Sequence, residues 1–170
     1  LLTTKIEPLT ANGFRLSNVF PLDMLDYVSK QCDTFTNGHF RINGNGRREY
    51  STFNIDQTPE IKKHLYNLIF QITNKPFKHS STELWRDYPG YTNDIHVDAD
   101  NLENVMIIYL GDGDCDMGTR WFESASEYHV PYTNNTGIVL LNSNKILHGM
   151  IGKVQGVDYR KSIYLNWKTL

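Results

Sequence analysis

The chain has 170 residues, 39% of them hydrophobic and 21% charged, with a formal net charge of −2. That length carries one domain with its own core, the composition rules out a disordered chain, and the charge offers no broad basic surface for nucleic acid. Cys32 and Cys115 are too few for a disulfide framework or a thiolate zinc site, which fits a reducing cytoplasm and leaves room for one bridge at most. No stretch is apolar for long enough to span a bilayer. The chain starts at Leu1 rather than Met, so a leader removed before this point stays open.

Ten tyrosines, eight phenylalanines and three tryptophans favour sheet. Taken in chain order, Phe20 to Val28 reads as a helix start, with Pro21 in the first turn and Asp23 and Asp26 early. Residues 41–48, rich in Gly, Asn and Arg, read as a flexible loop or hairpin tip. Thr58-Pro59-Glu60 opens a second helix, with threonine as N-cap and proline at N1. Behind it Ile61, Leu65, Leu68, Ile69 and Ile72 repeat at helical spacing and bury one face. From about Ser80 the pattern changes to short β-rich runs: 83–88, 95–98, 105–110, 119–122, 137–141, 146–150 and 159–167. Turn signals separate them, among them Pro89-Gly90, Gly111 to Asp114, Asn134-Asn135 and Gly156. This order predicts one mainly β domain over residues 1–170. A helical support region (1–79) packs on the outer face of a β-sandwich or barrel core (80–170). Val105 to Ile108 has no polar alternation, so that strand is covered on both sides.

Within this frame, His96-Val97-Asp98 puts a histidine and a carboxylate on one face of a strand, and His148 on a later strand brings a second imidazole to the same point. Two histidines and one carboxylate occupy one triangular face of an octahedral ion and leave the other free, which suits a non-haem Fe(II). The bland alternative is a hydrophilic surface strand. His129 is the rival to His148, whereas His64 sits beside a helical apolar stripe and His39 and His79 lie in loops. Gly149 after His148 lets backbone pass close by. Asp112 to Asp116 with Glu123 approaches a calcium loop, but Met117 stands where the turn glycine belongs and β runs flank it, so a solvated acidic loop is the better reading.

The stretch from about Trp85 to Trp167 resembles the 2-oxoglutarate- and Fe(II)-dependent oxygenases, and within them the prolyl 4-hydroxylase-like group. Tyr88-Pro89-Gly90 followed by His96-Val97-Asp98 is similar to that group's entry into its first metal strand. Ile107 to Leu110 looks like the strand that follows. Gly118-Thr119-Arg120-Trp121-Phe122 is similar to its Gly-Gly strand, with Thr119 in place of the second glycine. Gly137 to Leu141 through His148-Gly149 is similar to the strand pair leading to the distal histidine, and Arg160-Lys161-Ser162 falls where the family keeps a basic anchor.

The resemblance implies a double-stranded β-helix, or jelly roll, with Fe(II) held by His96, Asp98 and His148. It implies 2-oxoglutarate as cosubstrate, O2 as oxidant and ascorbate as a reductant. It also implies hydroxylation of a C–H bond with release of succinate and CO2. Arginine's planar fork suits the cosubstrate's distal carboxylate. Arg160 shares a face with Ser162, Tyr164 and Asn166, while Lys161 shares one with Ile163, Leu165 and Trp167. Counting back from Trp167 favours Lys161; the polar face favours Arg160, which is the choice made. Tyr109 is a second partner for that carboxylate and Tyr88 a candidate for the cosubstrate pocket, each with aromatic packing as the alternative. Trp167 is assigned to the core. The implied substrate is a peptidyl residue such as proline, over which residues 38–48 can fold, with Arg47 and Arg48 meeting acidic groups, although a solvated loop is the slightly better reading of that segment. A free amino acid or other small molecule, and a jelly roll that binds without turnover, are the alternatives.

Overall fold

The computed structural model describes residues 3–170. In chain order the elements are β1 (Lys5–Pro8), β2 (Gly13–Ser17), α1 (Leu22–Thr34), β3 (His39–Asn43), β4 (Gly46–Thr52), α2 (Pro59–Thr73), β5 (Phe77–Asp87), β6 (Asn104–Tyr109), β7 (Thr119–Glu123), β8 (Ser126–Val130), β9 (Thr136–Leu140), β10 (His148–Met150) and β11 (Arg160–Thr169). Eight strands form one antiparallel sheet in the order β1-β2-β9-β6-β11-β5-β4-β3; β10-β7-β8 form a second, smaller sheet. The fold is a mainly β jelly roll with two helices on its outer face.

Alternation along the central strands builds two cores. On one face of the large sheet, Leu84, Met106, Ile108, Val139, Ile163, Leu165 and Trp167 meet Val28 and Cys32 of α1 and Leu65, Leu68 and Ile69 of α2. On the other, Trp85, Val105, Tyr109, Ile138 and Tyr164 meet Trp121, Val130 and Met150 of the small sheet. Because successive residues point to opposite faces, β6 is covered on both sides, and Trp167 belongs to the helix-side core.

Several sequence expectations need correction. Residues 1–79 are not only helical: β1 to β4 lie there and extend the large sheet at both edges. Pro8 ends an edge strand, where a missing N–H costs no ladder bond. β5 begins at Phe77, so the β region starts inside the span read as support. Residues 38–48 are not a loose loop but the β3–β4 hairpin, with β4 paired to β5. Residues 95–98 form no extended strand; His96 makes a single bridge to His148. The helix starts hold, but the residues before them make no side-chain cap: Pro21 precedes α1, and the Thr58 hydroxyl before α2 donates to Ile55 O instead. Both cysteines are free, Cys32 buried and Cys115 exposed. No helix among the described residues is long and apolar enough to cross a membrane.

Candidate active site

The bridge between His96 and His148 is a hydrogen-bonded cross-strand pair: each N–H donates to the other's carbonyl, at 2.9 and 2.8 Å. That pairing puts both side chains on one face, with ring centroids 4.6 Å apart. Two residues on, the Asp98 N–H donates to Ser143 O and turns its carboxylate back toward both rings. Asp98 Oδ1 lies 3.4 Å from His96 Nε2, and Oδ2 lies 3.5 Å from His148 Nε2. A ligand atom from each of the three lies within 4.8 Å of the others.

The second nitrogen of each ring decides what the cluster can hold. His96 Nδ1 lies 2.6 Å from Asp94 O and His148 Nδ1 2.7 Å from Ile146 O. A carbonyl only accepts, so each Nδ1 carries the proton and each neutral ring turns a bare Nε2 lone pair toward Asp98. Two lone pairs and a carboxylate converge with no proton between them, and Asp98 Oδ2 is buried without a hydrogen-bond partner. Such a set fits a divalent cation, with the carbonyls orienting the ligands from behind. When a ring instead takes a proton at Nε2 it donates to Asp98; burial works against ionising this carboxyl, but the imidazoles of His148 and His96 outweigh it and hold it well below the usual carboxylate range. The hydrogen bond to Asp98 raises the His96 pKa. Gly149, after the second histidine, lies under the carbonyls of Asn93 and Asp94; a Cβ there would come within 2.6 Å of Asn93 O.

The cluster opens into a cavity of about 200 Å³ lined by Arg41, Arg48, Glu83, Trp85, Thr119, Arg160, Tyr164 and Asn166, among others. Arg160 lies deep inside, 1% exposed. Its Nε donates to Met117 O at 2.7 Å and its Nη1 to Asp87 Oδ2 at 2.7 Å. Lys161 points the other way and is not in the cavity; its Nζ pairs with Asp33 at 2.8 Å and Ser29 at 2.7 Å, tying β11 to α1. The ladder register shifts between Asn166 and Trp167. The extra residue, Ser80, is on β5, so alternation along β11 is unbroken and Lys161 stays on the helix-side face of Ile163, Leu165 and Trp167, opposite Arg160.

Tyr109 is fully buried behind Arg160 and donates to Thr119 Oγ1 at 2.7 Å; its ring lies 5.2 Å from the guanidinium. Ser162 is buried with its hydroxyl unpartnered. Tyr88 is not in the cavity: it lies on the outside, donating to Glu49 at 3.0 Å under Arg47, 4.6 Å from the ring. His129 is exposed on β8, away from the cluster. The acidic loop uses its carboxylates locally, Asp112 accepting from Asn134 N and Asp114 from Asp116 N, while Glu123 accepts from Asn12. Arg48, read as part of a mobile segment, is instead 2% exposed and paired with Asp87 inside the sheet. The missed signal was Glu83-x-Trp85-x-Asp87, a polar face on a strand whose other face is sheet core.

No family model matches the sequence, and no curated protein matches it. Solved structures do. A prolyl-4-hydroxylase from Pseudomonas putida superposes with a TM-score of 0.74 at 16% identity, over 95% of this chain and 94% of that one. A prolyl hydroxylase from Trichoplax adhaerens, in complex with a peptide fragment of the hypoxia-inducible factor oxygen degradation domain, gives 0.72 at 13% identity, over 94% and 84%. HygX from Streptomyces hygroscopicus, with nickel and 2-oxoglutarate bound, gives 0.69 at 9% identity, over 93% and 83%. The fold is that of the 2-oxoglutarate- and Fe(II)-dependent oxygenases. In this fold, the bridge of His96 to His148 and the turn to Asp98 lie at one side of the cavity between the two sheets.

Proposed function

We propose that residues 1–170 form one oxygenase domain that uses Fe(II), 2-oxoglutarate and O2 to hydroxylate a C–H bond, releasing succinate and CO2. The observation that carries this reading is the convergence of His96 Nε2, His148 Nε2 and Asp98 in a cavity that also holds buried Arg160. His96, Asp98 and His148 would hold the iron, which supplies the oxidising power that no protein side chain has. Arg160 meets the distal carboxylate of 2-oxoglutarate, Tyr109 backs the guanidinium from its ring face, and Ser162 offers its free hydroxyl from the same face of β11. Asp94 O and Ile146 O keep both imidazoles in the ligating tautomer. Ascorbate is the reductant that would keep the metal ferrous.

The substrate we favour is a peptidyl residue such as proline. Two of the structural neighbours are prolyl hydroxylases, one with a peptide bound. Val97 and Leu147, each beside a metal-ligating residue, are exposed apolar side chains suited to an extended chain. A second reading, a small-molecule substrate, is supported by HygX, which has also been solved with hygromycin B bound.

Anaerobic addition of Fe(II) and 2-oxoglutarate should give a weak visible charge-transfer band, and air should then yield succinate. Neither should appear with His96→Ala or Asp98→Ala. Full succinate formation by either variant, or none by the parent protein, would sink the assignment. Proline-containing peptides should gain the mass of one oxygen atom; a screen in which only small molecules gain it would favour the second reading.

A further inference from the structure

Four neighbouring strands place four charged residues in one cross-strand row. Arg41 on β3 lies opposite Arg48 on β4, Arg48 opposite Asp87 on β5, and Asp87 opposite Arg160 on β11. Asp87 is the single carboxylate of the row, shared by Arg48 and Arg160, while Arg41 is exposed at its outer end. Like charges directly opposite one another destabilise a ladder, so this row is costly unless something else balances it. Asp87 is 0% exposed, Arg160 1% and Arg48 2%, so water does little of the balancing.

Asp87 is placed between its two partners. Arg48 grips it with two bonds, Nε to Oδ1 at 2.6 Å and Nη2 to Oδ2 at 2.9 Å, and Arg160 Nη1 reaches the same Oδ2 at 2.7 Å. Arg48 is clamped further between aromatic rings, its guanidinium carbon 3.5 Å from the Trp85 centroid and 4.7 Å from that of Tyr91. The Nη1 group of Arg48 has no protein acceptor among the described residues, although both arginines line the cavity. The next carboxylate on that face of β5, Glu83, is four residues along, about 13 Å by strand rise, and already accepts from Trp85 Nε1 at 2.7 Å.

We infer that Arg48 is a second carboxylate-holding residue of the cavity, sharing one carboxylate of a dicarboxylate ligand with Arg160, and that Asp87 is the positioning residue that aligns the two guanidiniums. This rests on the proposed oxygenase reading only for the identity of the ligand as 2-oxoglutarate; the anion site itself needs no metal. An incoming carboxylate accepts from the unused N–H groups and supplies the negative charge the row lacks, and two fixed guanidiniums select an anionic carboxylate over a neutral end.

The test is calorimetric titration of the metal-free protein with glutarate, beside succinate formation by the iron-loaded protein. The parent should bind glutarate, and Arg48→Gln should weaken it by about tenfold or more, as expected for lost charge-assisted bonds. Arg48→Lys, which keeps the charge but not the fork, should recover part of that loss and serves as the folded comparison if the glutamine variant does not fold. Lys161→Gln, outside the cavity, should bind as the parent does. For Asp87→Asn the KM for 2-oxoglutarate should rise with little change in kcat, since Asp87 touches no reacting atom. Unchanged glutarate affinity in a folded Arg48 variant, or no glutarate binding by the parent, overturns the inference even if succinate is made. Arg48-dependent glutarate binding without any succinate formation upholds it and removes the oxygenase reading.

Discussion

The two imidazoles and Asp98 place a proton and a metal in competition for the same atoms. The hydrogen bond to Asp98 raises the His96 pKa, so its protonated form persists to higher pH than in an ordinary histidine. A metal binds only the neutral ring. Affinity for Fe(II), or for Mn(II) as an air-stable probe, should therefore fall as pH drops, beginning above the usual histidine range. Asp98→Asn should lose affinity at every pH and also move the onset of the fall back toward the ordinary histidine range; metal titrations at several pH values separate the two effects. A second contrast lies in the cysteines. Burial pushes the Cys32 thiol up to about 12, so in the native protein iodoacetamide should label exposed Cys115 and spare Cys32, with both labelled in denaturant; mass spectrometry reads the difference. The nearness of His96, Asp98 and His148 was legible from residue type and spacing, although a bridge and a turn rather than a strand bring them together, and the inward face of Arg160 was legible from alternation along β11. Arg48 was not, because its burial comes from pairing β4 to β5, which the Gly- and Asn-rich segment before it does not reveal.

At the scale of elements, the helices are held by apolar faces and the sheet junctions by few polar ties. Leu65 of α2 is 0% exposed within the helix-side core. Leu65→Ala should cost about 2–5 kcal/mol, read from denaturant unfolding. The tie between β11 and α1 is weaker. Lys161 and Asp33 are partly exposed, with side-chain accessibilities of 18% and 38%, so Lys161→Ala should cost less than about 1 kcal/mol. Its pH dependence has a defined sign. Partial burial opposes ionising Asp33, but hydrogen bonds from Lys161 and Tyr159 prevail and lower its pKa. A carboxyl with a lowered folded-state pKa contributes stability above its unfolded value of about 3.9 and loses it as pH falls through the folded one. The difference between parent and variant should thus shrink below pH 4. α2 was readable from its five-residue apolar stripe, and the middle strands from their β-branched and aromatic runs. β1 and β2 were not, because short edge strands such as Lys5–Pro8 carry too few residues to show a period. The bulge at Ser80 of β5, opposite Asn166–Trp167, was invisible for a related reason: one extra residue changes the faces of β5 beyond it but leaves composition untouched.

For the whole molecule, the layered architecture was legible from helices early and strands late, but not the way the first third of the chain supplies both margins of the large sheet. The cavity lies between the sheets, so a ligand there touches both and links binding to global unfolding. Any ligand that binds only the folded state stabilises it, by about 2.7 kcal/mol at a hundredfold excess over Kd. In a domain of this size, Mn(II) with 2-oxoglutarate should raise Tm by about 5–10 °C. His148→Ala should show none of the metal-dependent part; differential scanning calorimetry reports it directly.

Gly149 sets a steric limit on coordination chemistry. Its bare Cα lies beneath the Asp94 carbonyl, and that carbonyl fixes which His96 nitrogen is free. Adding one methyl group at this position would push on the acceptor rather than on any ligand. His96 could then adopt the other tautomer, with every proposed ligand still in the sequence. Gly149→Ala should therefore behave like a ligand mutation in metal titrations. The residue with the least chemistry of its own thus holds a veto over the proposed metal site.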